Sequence, residues 1–392
     1  MKIAIVAPMD ARTGISNYSE TLSIELIRLG EDITVVAPEN SQNSVLLNMG
    51  MNYVEPENYE VDDYDLTHFQ LACSPLHEYQ LHIINKHRKK LLKNMNVVTT
   101  VHDARNFDLF NIKCSKCISF GINLPKYPFY PHDVVDKGFH SISNRLIFHS
   151  NSAMNEYKSR YYLNSNTLRR VLHPAYSIPG VNTVYDPVNE TEEIRFLAPG
   201  YISPFKGHDI LINAVSKINQ DFKLIFMGKI LDENYGEYLK KLVKKEGLND
   251  KVEFLGFVTE EEFIKQINRA KIILIPRLTS SWLNNQPVFK LRKIFGLHYL
   301  INQSTSGVLT KALASGKPVI CSKSQGFSDY IDESRGIMCD DDVESWRNAI
   351  NYMLLNPNNV TEMSLNSRKF AVNELSPTNI AQQHLKIYKE HR

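Results

Sequence analysis

The stretch APGYISPFKGHDILINAV, residues 198–215, contains the pattern on which the fold prediction depends. It begins at the end of a β-branched and apolar run, passes through a turn rich in proline and glycine, and continues as an amphipathic helix carrying Ile210, Leu211 and Ala214. A strand, a turn and a helix in that order form the repeating unit of a parallel α/β sheet.

Outward from this stretch, short β-branched runs alternate with longer amphipathic segments, as expected for a parallel sheet covered by helices on both faces. The first half contains five predicted strands: Lys2–Ala7, Asp32–Val36, Asp65–Phe69, Val97–Val101 and Arg145–His149. A second series follows: Ile194–Ala198, Lys223–Met227, Val252–Leu255, Lys271–Ile275, Pro318–Cys321 and Gly336–Met338. The first helix is predicted from about Ser16 to Leu29, ended by Gly30. Two series of strands predict an α/β protein with two doubly wound, Rossmann-like sheets.

The domain boundary is predicted between these two series. A chain of 392 residues exceeds one ordinary core and fits two domains. The segment His173–Glu192 is rich in proline and lacks periodicity, so we place the linker there and the domains at residues 1–178 and 179–375. The stretches Asp103–Asn144 and Trp282–Leu300 interrupt the alternation, and irregular segments of such length are usually functional or disordered.

Composition excludes several classes of protein. With 45 basic and 43 acidic side chains the net charge is only +2, so nothing calls for nucleic acid or a strongly acidic partner. No stretch approaches the ~20 apolar residues needed to span a bilayer, and the first apolar run is too short for a secretory signal. Five cysteines fit a reducing compartment better than a disulfide framework. We therefore expect a cytoplasmic protein.

Two turns in the first half are candidate ligand sites, because ligands of open parallel sheets bind beyond the carboxyl ends of strands. In APMDARTGISNY (7–18), Gly14 stands just before a helix, where backbone N–H groups can hold phosphate; a plain strand-to-helix turn is the alternative. VVTTVHD places His102 and Asp103 after the fourth strand. His102 can contact a sugar hydroxyl or assist proton transfer, or be an ordinary structural histidine.

Two turns in the second half can bind an anion. Lys206 stands with Gly207 at a helix start, where it can neutralise a diphosphate leaving group or simply be solvated. In QSTSGVLTKALASGKPVI (303–320), Ser306 and Gly307 precede a short helix. Ser306 can cap or donate and Gly307 lets the backbone approach an anion, or the pair forms an ordinary helix start.

These motifs, in their order and spacing, resemble glycosyltransferase family 4 over essentially the whole chain. The matching features are Gly14, His68 in DLTHF, His102-Asp103, the PGYISPFKG turn, GFVTEEEF (256–263), GVLTKALASGKPVI and a terminal helix ending in HLKIYKE. The resemblance implies the GT-B fold, in which two Rossmann-like domains face each other across a cleft and the last helix, here residues 376–392, crosses back to the N-terminal domain. It also implies retaining transfer from a nucleoside diphosphate sugar, with no metal and no further cofactor.

The same resemblance implies roles for individual residues. Lys206 would stabilise the departing diphosphate, and the backbone N–H groups of Ser306, Gly307 and Val308 would bind its distal phosphate. Gly14 would let the first-domain loop close against that group. His102 would lie beside the transferred sugar and, with Asp103, on the acceptor side.

Three positions depart from the family pattern. Tyr201 replaces the usual arginine after the glycine of the PGYISPFKG turn, and Gln303 and Lys311 replace two paired glutamates. In the family the first glutamate contacts the donor sugar and the second the ribose. Lysine only donates hydrogen bonds, so Lys311 cannot accept one from a ribose hydroxyl. Arg277, at the end of KIILIPR, can replace the missing positive charge or form a rim salt bridge.

Two further segments have alternative readings. Cys114 and Cys117 form a CxxC pair that is either ordinary thiols or half of a zinc site, which would need partners such as Cys73, His132 and His140. The basic, apolar stretch 288–300 either packs over the protein or lies on an anionic membrane, where a lipid-linked acceptor would wait.

The sequence thus predicts a metal-independent retaining glycosyltransferase of cell-surface polysaccharide, glycolipid or glycoconjugate synthesis. Its partners would be a nucleotide sugar and a carbohydrate or lipid-linked acceptor, the acceptor being bound chiefly by Asp103–Asn144. A non-catalytic partner subunit and a sugar-nucleotide epimerase remain the alternatives.

Overall fold

The computed structural model describes residues 1–9, 14–39, 50–71, 78–93, 96–102, 139–161, 163–175, 193–278, 305–324 and 326–390. Over these residues the chain forms two compact units. The first unit comprises the described residues up to Pro174 together with those from Pro377 onward. The second comprises the described residues from Ala175 to Ser376.

The first unit is built on seven parallel strands: β1 (Lys2–Val6), β2 (Asp32–Val36), β3 (Asn52–Val54), β4 (Leu66–Leu71), β5 (Val97–Val101), β6 (Arg145–Phe148) and β7 (Leu168–Arg170). Their order in the sheet is β3-β2-β1-β4-β5-β6-β7. Helices α1 (Gly14–Arg28), α2 (Glu78–Lys93) and α3 (Asn151–Tyr161) follow β1, β4 and β6.

Side chains of this sheet enter a core on each face. Successive residues of a strand point to opposite faces, and in β1 Ile3 and Ile5 belong to one buried cluster while Ala4 and Val6 belong to another. Both faces therefore need an apolar cover, which explains why the strands read as continuous apolar runs rather than as alternating ones. The sheet is doubly wound.

The second unit contains six parallel strands: β8 (Ile194–Pro199), β9 (Phe222–Met227), β10 (Val252–Gly256), β11 (Ile272–Ile275), β12 (Val319–Ser322) and β13 (Gly336–Cys339). Their order is β10-β9-β8-β11-β12-β13. The helices of this unit are α4 (His208–Val215), α5 (Glu233–Lys245), α6 (Glu260–Arg269), α7 (Gly307–Ala314), α8 (Val343–Leu355) and α9 (Pro357–Asn373).

The last helix, α10 (Pro377–Tyr388), belongs to the first unit. It contributes Ile380, Ala381, Leu385 and Tyr388 to the buried cluster that contains Tyr18 of α1. Residues from the two ends of the chain therefore share one core. None of the helices in the described residues combines the length and the apolar character needed to cross a bilayer.

All eleven strands predicted from the sequence are present, with ends that differ by at most two residues. The short strands β3 and β7 were not predicted. Each has three residues and lies at one edge of the first sheet, so neither produces a run long enough to recognise. Within the stretch predicted to be irregular, 103–144, residues 139–142 are helical, which corrects that prediction for its described part.

Candidate functional site

Three histidines follow neighbouring strands at the carboxyl edge of the first sheet. His102 directly follows β5, His149 directly follows β6, and His173 lies three residues beyond β7. The ring centroids of His102 and His149 are 5.0 Å apart, and those of His149 and His173 are 5.2 Å apart. Parallel pairing of β5, β6 and β7 thus brings together side chains that are distant in sequence.

Tyr18 of α1 lies at the centre of this group. Its ring centroid is 4.7 Å from that of His102, 4.9 Å from His149 and 5.3 Å from His173. Its hydroxyl is 3.0 Å from Nε2 of His384 in α10. We call five residues the histidine cluster: His68, His102, His149, His173 and His384.

Hydrogen bonds join members of the cluster to one another and to the sheet. Nδ1 of His149 is 2.9 Å from the carbonyl oxygen of Val171, and its Nε2 is 3.2 Å from Nδ1 of His102. Nε2 of His102 is 2.7 Å from the side-chain oxygen of Gln70 in β4. Nδ1 of His68 is 2.7 Å from the hydroxyl of Tyr388, and its Nε2 is 2.7 Å from the hydroxyl of Thr100.

Burial lowers the pKa of most of these imidazoles, because a charged ring would lose its hydration. It lowers the pKa of His173 and His384 to about 4. The pKa values of His68 and His149 lie well below the ordinary value, first through burial and then through neighbouring histidines. These four rings are therefore neutral at pH 7.

The sequence-predicted residue His102 is a member of this cluster rather than an isolated group. Its side chain is 9% exposed, and each ring nitrogen faces another side chain of the first unit. Its neighbours His149 and His173 were not predicted as site residues. The signal that could have indicated them is the position of a histidine just after each of three consecutive strands.

Asp103 lies outside the described residues. Gly14 is the first residue of α1, so the helix begins two residues earlier than predicted.

In the second unit, the turn after β8 is formed by a close approach of two glycines. Gly200 has φ +118°, and a Cβ placed on Gly228 would lie 2.1 Å from the carbonyl oxygen of Gly200. Only glycine at position 228 therefore lets the chain leaving β9 touch the chain leaving β8. Tyr201, in the position of the expected arginine, is 49% exposed.

Lys206 ends a short 3₁₀ turn, Pro204–Lys206, rather than opening the helix as predicted. Gly207 follows in the left-handed conformation with φ +68°, and α4 begins at His208. This glycine therefore separates the lysine from the helix. Burial, followed by the charge of Lys206, lowers the pKa of His208 to about 3.

The start of α7 lies beside the glycine turn. A Cβ placed on Gly200 would be 3.7 Å from Cγ2 of Val308. Gly307 is the first residue of α7, one position earlier than predicted, and Ser306 is its N-cap without a side-chain capping bond. The N–H groups of the first helical turn have no acceptor within the helix, so they can bind an anion.

The segment that follows β11 lies against the same turn. A Cβ on Gly207 would be 3.1 Å from Cδ2 of Leu278. The neighbouring residue, Arg277, is buried. Its backbone N–H donates to the hydroxyl of Ser322 at 2.7 Å. Its guanidinium lies 4.8 Å from the ring centroid of Phe327. The guanidinium thus makes a cation–π contact with Phe327.

Lys311 lies one helical turn into α7, with its Nζ 4.9 Å from the ring centroid of Phe263 in α6. The lysine is therefore held against a residue of the GFVTEEEF motif.

Gln303 and the cysteine pair Cys114/Cys117 lie outside the described residues. Within the part of the chain that is described, no three histidine, cysteine or acidic side chains form a group able to hold a metal ion.

Comparison with known proteins agrees with this architecture. Residues 186–370 match the family model described as "Glycosyl transferases group 1". No curated protein sequence gave a significant match.

Three solved structures superpose on nearly the whole chain. A glycosyltransferase from Rickettsia africae has a TM-score of 0.70 at 15% identity, covering 99% of this chain and 98% of that one. HepE from Anabaena, in complex with UDP, has a TM-score of 0.68 at 14% identity, covering 99% of each chain. Sucrose-phosphate synthase from Thermosynechococcus elongatus has a TM-score of 0.68 at 16% identity, covering 100% and 98%. The chain therefore has the GT-B fold, and its second unit matches the group 1 glycosyl transferases.

Proposed function

We propose that this protein is a retaining glycosyltransferase of family 4, which moves a sugar from a nucleoside diphosphate sugar to an acceptor hydroxyl. The family match over residues 186–370 supports transfer of a sugar, and the UDP and UDP-glucose complexes of HepE support a nucleotide-sugar donor. Cell-surface polysaccharide, glycolipid or glycoconjugate synthesis is the proposed setting.

One observation supports the proposal most strongly. Three segments that are separate in sequence meet at the carboxyl edge of the second sheet: the turn Gly200–Gly207, the segment Arg277–Leu278 and the start of α7. They bring a lysine, an arginine and a helix N-terminus to the edge where ligands of parallel sheets bind. That chemistry suits a diphosphate.

The proposed chemistry follows from how charge develops during the reaction. In glycosyl transfer the transition state is cationic at the sugar and anionic at the leaving diphosphate, so groups that hold positive charge in place stabilise it. We assign that role to Lys206 and Arg277. The backbone N–H groups of Ser306, Gly307 and Val308 bind the distal phosphate. A metal ion is not needed for this scheme.

The remaining assignments are proposals for both units. Gly14 contacts phosphate in the first unit, His102 lies beside the transferred sugar, and Asp103 lies on the acceptor side. Gln303 and Lys311 contact the donor in the second unit. Because Lys311 rests on Phe263, we expect it to add positive charge to the nucleotide region rather than to accept a ribose hydrogen bond.

A panel of nucleotide sugars tests the function. We expect UDP, GDP, ADP, dTDP or CMP sugars to include one that raises the melting temperature, since saturating ligand stabilises the folded state by roughly 3 kcal/mol at a hundred times Kd. With that donor and an acceptor library, the product should keep the anomeric configuration of the donor, read by NMR. A protein that no donor stabilises would fit the partner-subunit alternative. Release of an altered sugar nucleotide without an acceptor would identify an epimerase.

A further inference from the structure

The contact between His149 and His102 has a defined direction. The carbonyl oxygen of Val171 can only accept, so Nδ1 of His149, 2.9 Å away, carries a proton. Burial and the neighbouring His173 hold the pKa of His149 well below its ordinary value, so the ring is neutral and its Nε2 has a lone pair. Nδ1 of His102, 3.2 Å from that lone pair, must therefore donate.

The other nitrogen of His102 faces a group that can change its hydrogen-bonding role. Nε2 of His102 is 2.7 Å from the side-chain oxygen of Gln70, which accepts a hydrogen bond from this nitrogen when it carries a proton. With the amide turned over, the NH₂ group of Gln70 donates to the same nitrogen of a neutral ring. Nε2 can therefore either donate to Gln70 or accept from it, while Nδ1 donates to His149.

Among the described residues, a tyrosine and buried histidines lie around His102. Tyr18 of α1 packs against its ring at a centroid distance of 4.7 Å, with the planes at 81°. His173 and His384 pack on Tyr18, and His68 contacts the amide of Gln70. Nδ1 of His102 lies against His149, and its Nε2 lies against Gln70.

We propose that His149 is a positioning residue for sugar transfer, which fixes His102 in the Nδ1–H tautomer and orients its ring at the end of β5. This proposal rests on the function proposed above, in which His102 lies beside the transferred sugar. Without His149 the Nδ1–H of His102 loses its acceptor, and the neutral ring can move its proton to Nε2 or rotate about χ2. A misoriented group beside the reacting carbon lowers kcat, whereas binding of the donor through the second unit is little affected.

Two substitutions at position 149 separate hydrogen bonding from packing. His149→Phe keeps an aromatic ring of similar size but can neither accept from His102 nor donate to Val171. His149→Gln keeps both abilities, because its carbonyl oxygen accepts and its NH₂ group donates. His173→Gln serves as the matched control, since it alters a buried histidine next to His149 but leaves both nitrogens of His149 unchanged.

The direct readout is the tautomer of His102, measured by NMR on protein carrying ¹⁵N-histidine, with the His102 signals assigned from their loss in His102→Asn. We expect a protonated Nδ1 of His102 in wild type, in His149→Gln and in His173→Gln. In His149→Phe we expect that proton to be lost from Nδ1 or to exchange between Nδ1 and Nε2.

In transfer assays, His149→Phe should lower kcat by about ten- to a hundred-fold with KM for the donor within a few-fold, and His149→Gln should recover most of that rate. An unchanged His102 tautomer in folded His149→Phe would overturn the proposal, as would a wild-type rate in that variant. A wild type that transfers no sugar would overturn the proposed function. The NMR comparison would still decide whether His149 fixes the tautomer of His102.

Discussion

The hydroxyl of Tyr18 donates a hydrogen bond of 3.0 Å to Nε2 of His384, although the two residues are 366 positions apart. The direction is set by His384, whose Nδ1 donates to the carbonyl oxygen of Ile380 at 2.9 Å and whose burial keeps the ring neutral. Both side chains are fully buried. The bond therefore ties the first helix of the chain to the last one inside a single core.

Tyr18→Phe should lower the free energy of unfolding by about 1–3 kcal/mol, because it leaves Nε2 of His384 buried without its donor. Urea denaturation followed by circular dichroism measures the change. Tyr352→Phe is the control: that hydroxyl accepts from Asn359 at an exposed site, so its loss should cost less than about 0.5 kcal/mol. Equal effects of the two substitutions would contradict the buried bond.

The histidine cluster should make the first unit sensitive to acid. In the unfolded chain each histidine binds a proton below about pH 6.5. In the folded protein, burial lowers the pKa of His173 and His384 to about 4, and it holds the pKa values of His68 and His149 well below the ordinary value. Between the pKa of a histidine in the unfolded chain and its lower pKa in the folded protein, the unfolded state binds more protons than the folded state. Stability is therefore complete above about pH 6.5 and falls on acidification, by about 1.4 kcal/mol per pH unit for each such histidine.

Urea midpoints measured from pH 7.5 down to about pH 5 should show this decline. Glu390 does not account for it: hydrogen bonding to Arg169 and then Arg145 lowers its pKa to about 2, so its contribution is lost only below about pH 4.5. His384→Gln, which retains an acceptor for Tyr18, should reduce the slope by about one proton. A midpoint that stays constant from pH 7 to 5 would show that the cluster is not neutral.

Gly228→Ala should disrupt the second unit by forcing apart the chains that leave β8 and β9. Its Cβ would lie 2.1 Å from a backbone oxygen of Gly200, a clash that no side-chain rotation relieves. We expect a loss of several kcal/mol in stability and of most transfer activity. Gly247→Ala, at φ +68° with nothing within 4 Å of its Cβ, should cost only about 1–2 kcal/mol of backbone strain. Similar melting temperatures for the two variants would contradict the proposed contact.

The sequence predicted those parts of the fold that depend on local patterns. Runs such as Val97–Val101 are short, β-branched and followed by turns, so their strands were recognised. The start of α4 was misplaced because neither the 3₁₀ turn that ends at Lys206 nor the left-handed Gly207 after it leaves a distinct pattern in the sequence. The histidine cluster was missed for a different reason. The histidines that follow strands are visible in the sequence, but His102, His149 and His384 are brought together by strand register and by the packing of a helix from the far end of the chain.

We propose that the second unit binds a diphosphate through its positive groups, among them Lys206. The most direct measurement is the Kd of the stabilising nucleoside diphosphate, and of the matching nucleoside without phosphate, for wild type and Lys206→Ala. Lys240→Ala, on the exposed face of α5, is the control. We predict that Lys206→Ala weakens the diphosphate by about ten- to a hundred-fold, leaves the nucleoside within a few-fold and lowers the transfer rate by roughly two orders of magnitude. Diphosphate affinity equal to that of wild type and Lys240→Ala would contradict the account.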